Sequence, residues 1–171
     1  MTNGGEASIC SKISKARGSA TLQKSIPKIK VFVDTSVLIS GLASSTGASG
    51  AVLDLCEAEV IQMVISRQVI VEADRNFLAK LPRLLSRFRQ FIHDLKPLLI
   101  DDPGPSLVKK ADAMVGRKDA SILAAALEGK VDFLVTLDKK HFLSPRVRKG
   151  ADVTVVTPSE FLRIFENLYL G

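Results

Sequence analysis

The sequence predicts an α/β fold built on a parallel sheet, and two patterns support this prediction. Short apolar runs rich in β-branched residues alternate with longer segments in which apolar residues recur at helical spacing. The short runs are apolar throughout, which is typical of strands that are buried on both faces. Such alternation of strands and helices indicates parallel strands that are joined by right-handed helical crossovers.

Five strands follow from the apolar runs. The first run, Val-Phe-Val, ends abruptly at Asp34, and each later run is followed by a polar or turn-forming residue. The predicted strands cover residues 31–33, 61–65, 98–100, 133–136 and 153–156.

The helices between these strands are marked by apolar spacing and by residues that start or stop helices. Ser66 is a favoured N-cap, Pro82 and Pro158 suit a first helical turn, and Gly129 is a natural stop. The predicted helices cover residues 37–42, 67–80, 83–95, 107–114 and 119–127, with one more beginning at residue 51 after a loop at 44–50 and a last one beginning at residue 158.

Size and composition limit the kind of protein. The 171 residues suffice for one domain with a substantial core, and 46% hydrophobic with 25% charged residues is ordinary for a soluble globular protein. Cys10 and Cys56 imply neither a disulfide framework nor a zinc site, and they fit a reducing compartment, so we expect a cytoplasmic protein. The longest uncharged stretch, residues 35–53, is rich in Ser, Thr and Gly, and we expect no membrane span.

Residues 1–28 are predicted to form a disordered basic tail that precedes a domain at residues 29–171. The tail is rich in Ser, Gly and Lys and has five basic residues against one acid. Its composition overlaps with that of organellar transit peptides, whereas the apolar segment of a secretory signal is missing. The rest of the chain is nearly neutral, so net charge alone is weak evidence for a nucleic-acid partner.

Four acids are expected to meet at one edge of the sheet. Asp34 ends the first strand, at the edge where open α/β sheets bind ligands. Asp138 lies just beyond the fourth strand, Asp119 opens the helix that leads into that strand, and Glu72 lies in the helix after the second strand. Because clustered carboxylates repel each other unless a cation compensates, this pattern predicts a Mg²⁺ or Mn²⁺ site. Such a site lowers the pKa of a bound water and neutralises a phosphodiester transition state.

Each acid also has a simpler explanation. Asp34 and Asp119 are favoured at helix N-termini, Glu72 could pair with Arg75, and Asp138 could begin a turn. Other enzyme classes fit less well. A phosphate-transfer enzyme of the haloacid-dehalogenase type needs a second acid two residues after Asp34, where Ser36 stands, and the glycine-rich phosphate-binding motifs are missing.

The four acids lie in stretches with a characteristic order and spacing. These are VFVDTSVL around Asp34, SRQVIVE ending at Glu72, RKDASILAAAL around Asp119 and DFLVTLDK around Asp138, followed by TPSEFL at residues 157–162. Together they resemble the PIN domain family, in particular the toxin-type, VapC-like ribonucleases of toxin–antitoxin systems. The resemblance covers about residues 29–166.

The resemblance implies an α/β/α sandwich whose five-stranded parallel sheet has the order 3-2-1-4-5. It implies a Mg²⁺- or Mn²⁺-dependent endoribonuclease that cleaves single-stranded RNA with a metal-activated water. Ser36 and Thr136 match hydroxyl positions that would orient Asp34 or that water. The catalytic and metal-binding positions of the family fall on Asp34, Glu72, Asp119 and Asp138.

The resemblance also implies partners. It implies a protein antitoxin that masks the cleft, and a homodimer that the apolar residues at 83–95 and 161–170 would favour. The basic residues after Asp138 are either a solvated face or contacts for RNA phosphates, and the candidates for RNA binding are Lys139, Lys140, Arg146 and Arg148. His141 is close in sequence to Asp138 and could contact substrate, but an exposed loop histidine is the commoner case. The alternative function is a catalytically silent PIN module that binds RNA or protein.

Overall fold

The structure, a computed structural model, describes residues 28–169. The predicted disordered tail therefore lies, except for Lys28, outside the described residues. A five-stranded sheet forms the centre of the fold, with all pairings parallel and the strand order β3-β2-β1-β4-β5, which confirms the predicted fold class and strand order. The strands are β1 Lys30–Val33, β2 Gln62–Ser66, β3 Leu98–Ile100, β4 Phe133–Val135 and β5 Thr154–Val156.

Helices connect the strands and cover the sheet. They are α1 Thr35–Ala43, α2 Ala48–Glu57, α3 Arg67–Lys80, α4 Leu85–Leu95, α5 Pro105–Val115, α6 Ala120–Glu128, α7 Pro145–Gly150 and α8 Pro158–Tyr169, with a 3₁₀ turn at Pro82–Leu84. In residues 28–169 no single helix is long and apolar enough to cross a membrane; α1 and α2 pass that test only as a pair, which is bent by 95°.

Strand β1 lies in the middle of the sheet and is covered on both faces. Successive side chains of a strand point to opposite faces, and Val31, Phe32 and Val33 are all fully buried. Helices must therefore pack on both sides of β1, as in an α/β/α sandwich. The edge strand β3 is less protected, since Leu98 and Leu99 both remain exposed.

Two helices differ from the prediction. Helix α2 begins at Ala48, inside the predicted loop, because the Gly47 carbonyl already accepts a hydrogen bond from the Ala51 N–H. A Cβ at Gly50 would lie 2.8 Å from the Ser44 carbonyl oxygen, so the first turn of α2 packs closely on the preceding loop. Helix α7 was not predicted because its six residues are too few to show a helical period.

The register of the central strands determines which loops become neighbours. Val33 of β1 lies opposite Val135 of β4. The N–H of Asp34 donates to the Val135 carbonyl at 3.1 Å, so the ladder extends one residue beyond β1. The loops that follow β1 and β4 therefore leave the sheet side by side, at its carboxyl edge.

Candidate active site

Asp34 is buried at the point where β1 turns into α1. Its main-chain carbonyl accepts the N–H groups of Val37 and Leu38, but its side chain makes no capping bond to the helix. Carboxylate oxygen Oδ2 instead accepts the Ser36 hydroxyl at 2.7 Å and the Thr136 hydroxyl at 2.8 Å. Only 8% of Asp34 is exposed. The side chain is thus positioned by two hydroxyl groups, and the explanation of Asp34 as a side-chain helix cap is wrong.

The two hydroxyl groups also connect the loops after β1 and β4. Thr136 Oγ1 accepts the N–H of Asp138 at 3.1 Å while donating to Asp34, and Thr136 is fully buried. Ser36 Oγ likewise accepts the N–H of Leu137 at 3.1 Å. This hydrogen-bonded network therefore fixes the position of Asp34 relative to the backbone of Asp138.

Asp138 lies in a turn that its own side chain stabilises. Oδ1 accepts the N–H groups of Lys140 (3.0 Å) and His141 (3.1 Å), and Oδ2 lies 2.8 Å from Nδ1 of His141. Partial burial alone would raise the pKa of Asp138, but the hydrogen bonds from His141 and Lys140 outweigh burial and lower the pKa below its usual value. Asp138 therefore begins a turn, as its simpler explanation predicted. One oxygen of its carboxylate, Oδ2, also contacts the imidazole of His141.

Asp119 precedes α6 and makes no side-chain capping bond to it. The chain turns before Asp119 at Gly116, whose φ of +87° is a conformation that other residues rarely adopt. The Gly116 carbonyl accepts the Asp119 N–H at 3.1 Å. Burial, helped by the charges of Asp138 and Asp34 and opposed by His141 and Lys118, raises the pKa of Asp119. The charges of Asp34 and Asp138 therefore both act electrostatically on Asp119.

His141 joins two of these acids. Its Nδ1 lies 2.8 Å from Asp138 Oδ2 and 3.5 Å from Asp119 Oδ2. One ligand atom from each of the three residues lies within 4.8 Å of the others, which is close enough for a shared metal ion. His141 does lie in a half-exposed turn, as expected, but it is not an ordinary loop histidine because it contacts two acids. Its position three residues after Asp138 was the available signal, because such a spacing lets a side chain fold back onto an acid that begins a turn.

Glu72 is not part of this hydrogen-bonded group. It is exposed on α3, and within residues 28–169 it forms no hydrogen bond or ion pair with Asp34, Asp119 or Asp138, nor with Arg75. Its main-chain carbonyl accepts the side-chain amide of Asn76. The hydrogen bonds and close contacts of the site thus link Asp34, Asp119 and Asp138, and the role of Glu72 as the fourth acid stays a prediction.

The predicted RNA-binding residues are exposed, but they differ in their surroundings. Lys139 and Lys140 follow Asp138 directly, and Arg146 lies on α7. Arg148 is paired with Glu160 at the start of α8 through two hydrogen bonds of 2.8 and 3.0 Å. It lines a groove beside β5 together with Glu160 and Arg163.

The donor set suits a hard or borderline divalent cation. Carboxylate oxygens are the preferred ligands of Mg²⁺ and Mn²⁺, and an imidazole nitrogen is acceptable to Mn²⁺ and to later transition metals. Asp119, Asp138 and His141 are partly exposed, so open positions for water or a phosphate oxygen remain around such an ion.

Comparisons with solved structures agree with the fold of this chain. Solved structures with the same fold include PAE2754 from Pyrobaculum aerophilum, which is 18% identical over 81% of this chain and 90% of that chain, with a TM-score of 0.53. VapBC2 from Rickettsia felis, bound to a DNA fragment from its promoter, is 15% identical; the match covers 75% of this chain and 98% of that chain, with a TM-score of 0.54. FitAcB from Neisseria gonorrhoeae is 22% identical; the match covers 75% of this chain and 98% of that chain, with a TM-score of 0.55.

Sequence comparison identifies the family. No curated protein sequence matches the chain significantly. The family model for the PIN domain matches residues 30–140, a segment that runs from β1 through β4 and contains all four predicted acids. Since this match covers more than half of the chain, the protein belongs to the PIN domain family.

Proposed function

We propose that the protein is a divalent-metal-dependent endoribonuclease that hydrolyses single-stranded RNA and serves as the toxin of a toxin–antitoxin pair. PIN domains are generally nucleases. The observation that carries the proposal is the grouping of Asp34, Asp119 and Asp138 at the carboxyl edge of the sheet, with Asp34 held by two hydroxyl groups. Carboxylates that are grouped in this way are compensated when they share a cation.

A cation would be held by Asp34, Asp119 and Asp138, with Glu72 of α3 as the fourth acid. Asp34 retains a carboxylate oxygen, Oδ1, that accepts no hydrogen bond from any of residues 28–169. When bound, Mg²⁺ or Mn²⁺ would activate water for attack on phosphorus and offset the charge of the phosphodiester. Hydrolysis then adds one water across one P–O bond.

The neighbouring hydroxyls have a positioning role in this proposal. Ser36 and Thr136 donate to the same oxygen of Asp34, which fixes the carboxylate and orients its other oxygen. Because Thr136 also accepts the Asp138 N–H, the same hydroxyl sets the distance between two of the acids.

Exposed bases beside the acids would bind RNA phosphates. Lys139 and Lys140 are the best placed, since they directly follow Asp138 and are both exposed, and Arg146 lies on the next helix. Arg148 must first leave Glu160, so we assign it a weaker contribution. Since phosphate contacts carry most of the affinity for a single strand, binding should weaken steeply with salt.

We further propose a protein antitoxin and a homodimer as partners in the cytoplasm. The VapBC2 and FitAcB structures that share this fold support an antitoxin. For the dimer, Phe88 and Phe91 of α4 face the core, whereas Leu168 and Tyr169 of α8 are exposed and could form a contact. Light scattering across micromolar concentrations tests the dimer, and a monomer at every concentration would exclude it.

The test of the nuclease activity is cleavage of labelled single-stranded RNA with and without Mn²⁺. We expect wild type to cut only with Mn²⁺, and Asp34→Asn to lose cleavage because the shape but not the charge of the side chain remains. Asp102→Asn is the matched control, since Asp102 is an exposed acid outside the cluster. A chain that binds RNA but never cuts it would support the silent-module alternative.

A further inference from the structure

We propose that His141 is a metal ligand, which binds the cation together with Asp119 and Asp138, and that its imidazole makes the site favour first-row transition metals over Mg²⁺. This inference rests on the proposed function, since it concerns the cation of the same site. It adds to that function a ligand outside the four acids and a preference among metals.

The first argument is the spacing of the three ligand atoms. In an octahedral site with metal–ligand distances near 2.1 Å, neighbouring ligand atoms are about 3 Å apart. Nδ1 of His141 lies 2.8 Å from Asp138 Oδ2 and 3.5 Å from Asp119 Oδ2. All three atoms lie within 4.8 Å of one another. An ion could therefore reach all three after small movements of the side chains, with Nδ1 of His141 unprotonated and the proton of the neutral imidazole on Nε2.

The second argument is that the backbone holds the imidazole at this place. The N–H of His141 donates to Asp138 Oδ1, and the N–H of Phe142 donates to the Asp138 carbonyl at 3.3 Å. Phe142 is buried in the core directly after His141. The turn is thus anchored on both sides of the imidazole, and a pre-positioned ligand loses little conformational entropy when the metal binds.

The third argument concerns charge. Asp119 and Asp138 both lie beside His141, and within residues 28–169 this imidazole is the only basic side chain in direct contact with the two carboxylates. Even as a cation, one imidazole offsets a single negative charge. A dication shared by Asp119, Asp138 and the neutral imidazole offsets two charges and still uses the same three side chains.

The choice of metal follows from the donor types. Mg²⁺ is bound almost entirely by oxygen, whereas imidazole is a good ligand for Zn²⁺, Ni²⁺ and Co²⁺ and is tolerated by Mn²⁺. A histidine ligand therefore adds affinity for these metals and little for Mg²⁺. If His141 only orients Asp138 by a hydrogen bond, its loss should weaken every metal by a similar factor.

Isothermal titration of the full chain with Co²⁺ and with Mg²⁺ separates these cases. We expect His141→Ala to lower the Co²⁺ affinity on the order of tenfold or more, and the Mg²⁺ affinity by less than about threefold. His93→Ala is the matched control. His93 is the other histidine of the chain and also pairs with an acid, Asp94 at 3.0 Å, but on the exposed surface of α4. Equal losses for the two metals, or no loss for either, would overturn the proposal.

A spectroscopic measurement gives a second readout that does not depend on cleavage. The chain has two histidines, so ¹⁵N spectra of the imidazoles contain two rings. Zn²⁺ should shift Nδ1 of His141 and leave His93 unchanged; an unchanged His141 in protein that binds Zn²⁺ would exclude it as a ligand. Failure of the proposed function looks different, because Asp138→Asn would then leave the affinity for every metal intact.

Discussion

Replacement of Thr136 by valine tests the hydrogen-bonded network around Asp34. Valine has nearly the shape of threonine, so Thr136→Val removes the hydroxyl without opening a cavity. The variant loses the 2.8 Å bond to Asp34 Oδ2 and leaves the Asp138 N–H without its 3.1 Å acceptor. Thr136 is 0% exposed, so water cannot easily take the place of the hydroxyl.

The expected loss of stability follows from these two bonds. A hydrogen bond to a charged group contributes about 1.5–3 kcal/mol, and the N–H of Asp138 is only partly buried, so water can satisfy some of its demand. We expect Thr136→Val to lower the free energy of unfolding by about 2–3 kcal/mol. For a chain of this size, that corresponds to a fall in Tm of about 4–12 °C.

Thr35→Val is the matched control for this experiment. Thr35 is also buried, at 4% exposure, but its hydroxyl has no hydrogen-bond partner in residues 28–169. The same chemical change should therefore leave stability unchanged or raise it by about 1 kcal/mol. Calorimetry and urea unfolding in EDTA measure both variants. If the two variants are destabilised equally, or Thr136→Val is neutral, the assigned network is wrong.

Three further predictions concern the acids and the bases of the site. The raised pKa of Asp119 contributes stability that is present below its unfolded pKa and is lost as pH rises through the folded value. Asp119→Asn without metal should therefore gain Tm relative to wild type as pH rises above about 3.9, the unfolded value; a constant difference would contradict this. Mn²⁺ at about 100 times its Kd should stabilise wild type by about 2.7 kcal/mol, and Asp138→Asn by much less. Thermal melts measure this difference, and equal shifts in Tm for the two proteins would remove Asp138 from the site. Paired alanine substitutions of Lys139 and Lys140 should reduce the salt slope of single-stranded RNA binding by about 0.7 per lost contact, and an unchanged slope in filter binding would exclude both lysines.

The sequence by itself determined the fold class and the neighbourhood of three acids. A strand that is covered on both faces must be apolar throughout, and that requirement is visible in Val31, Phe32 and Val33 without any structure. Parallel strands bring their carboxyl ends to one edge, so Asp34 and Asp138 could be placed together from their positions after β1 and β4. These inferences succeed because they depend on the apolar pattern of a strand and on chain direction, both of which can be read from a short stretch of sequence.

Only the tertiary structure decided which side chains touch. The Asp34–Thr136 bond joins residues 102 positions apart, Arg148 is held by Glu160 of another helix, and Glu72 lies outside the hydrogen-bonded group. Each of these placements depends on the exact register of β1 against β4 or on how one helix packs against the next. His141 shows that sequence reasoning can also miss a contact between residues that are close in the chain. Three residues separate it from Asp138, yet its contact with Asp119 requires the turn after β4 and the start of α6 to meet in space, and residue spacing carries no information about that meeting.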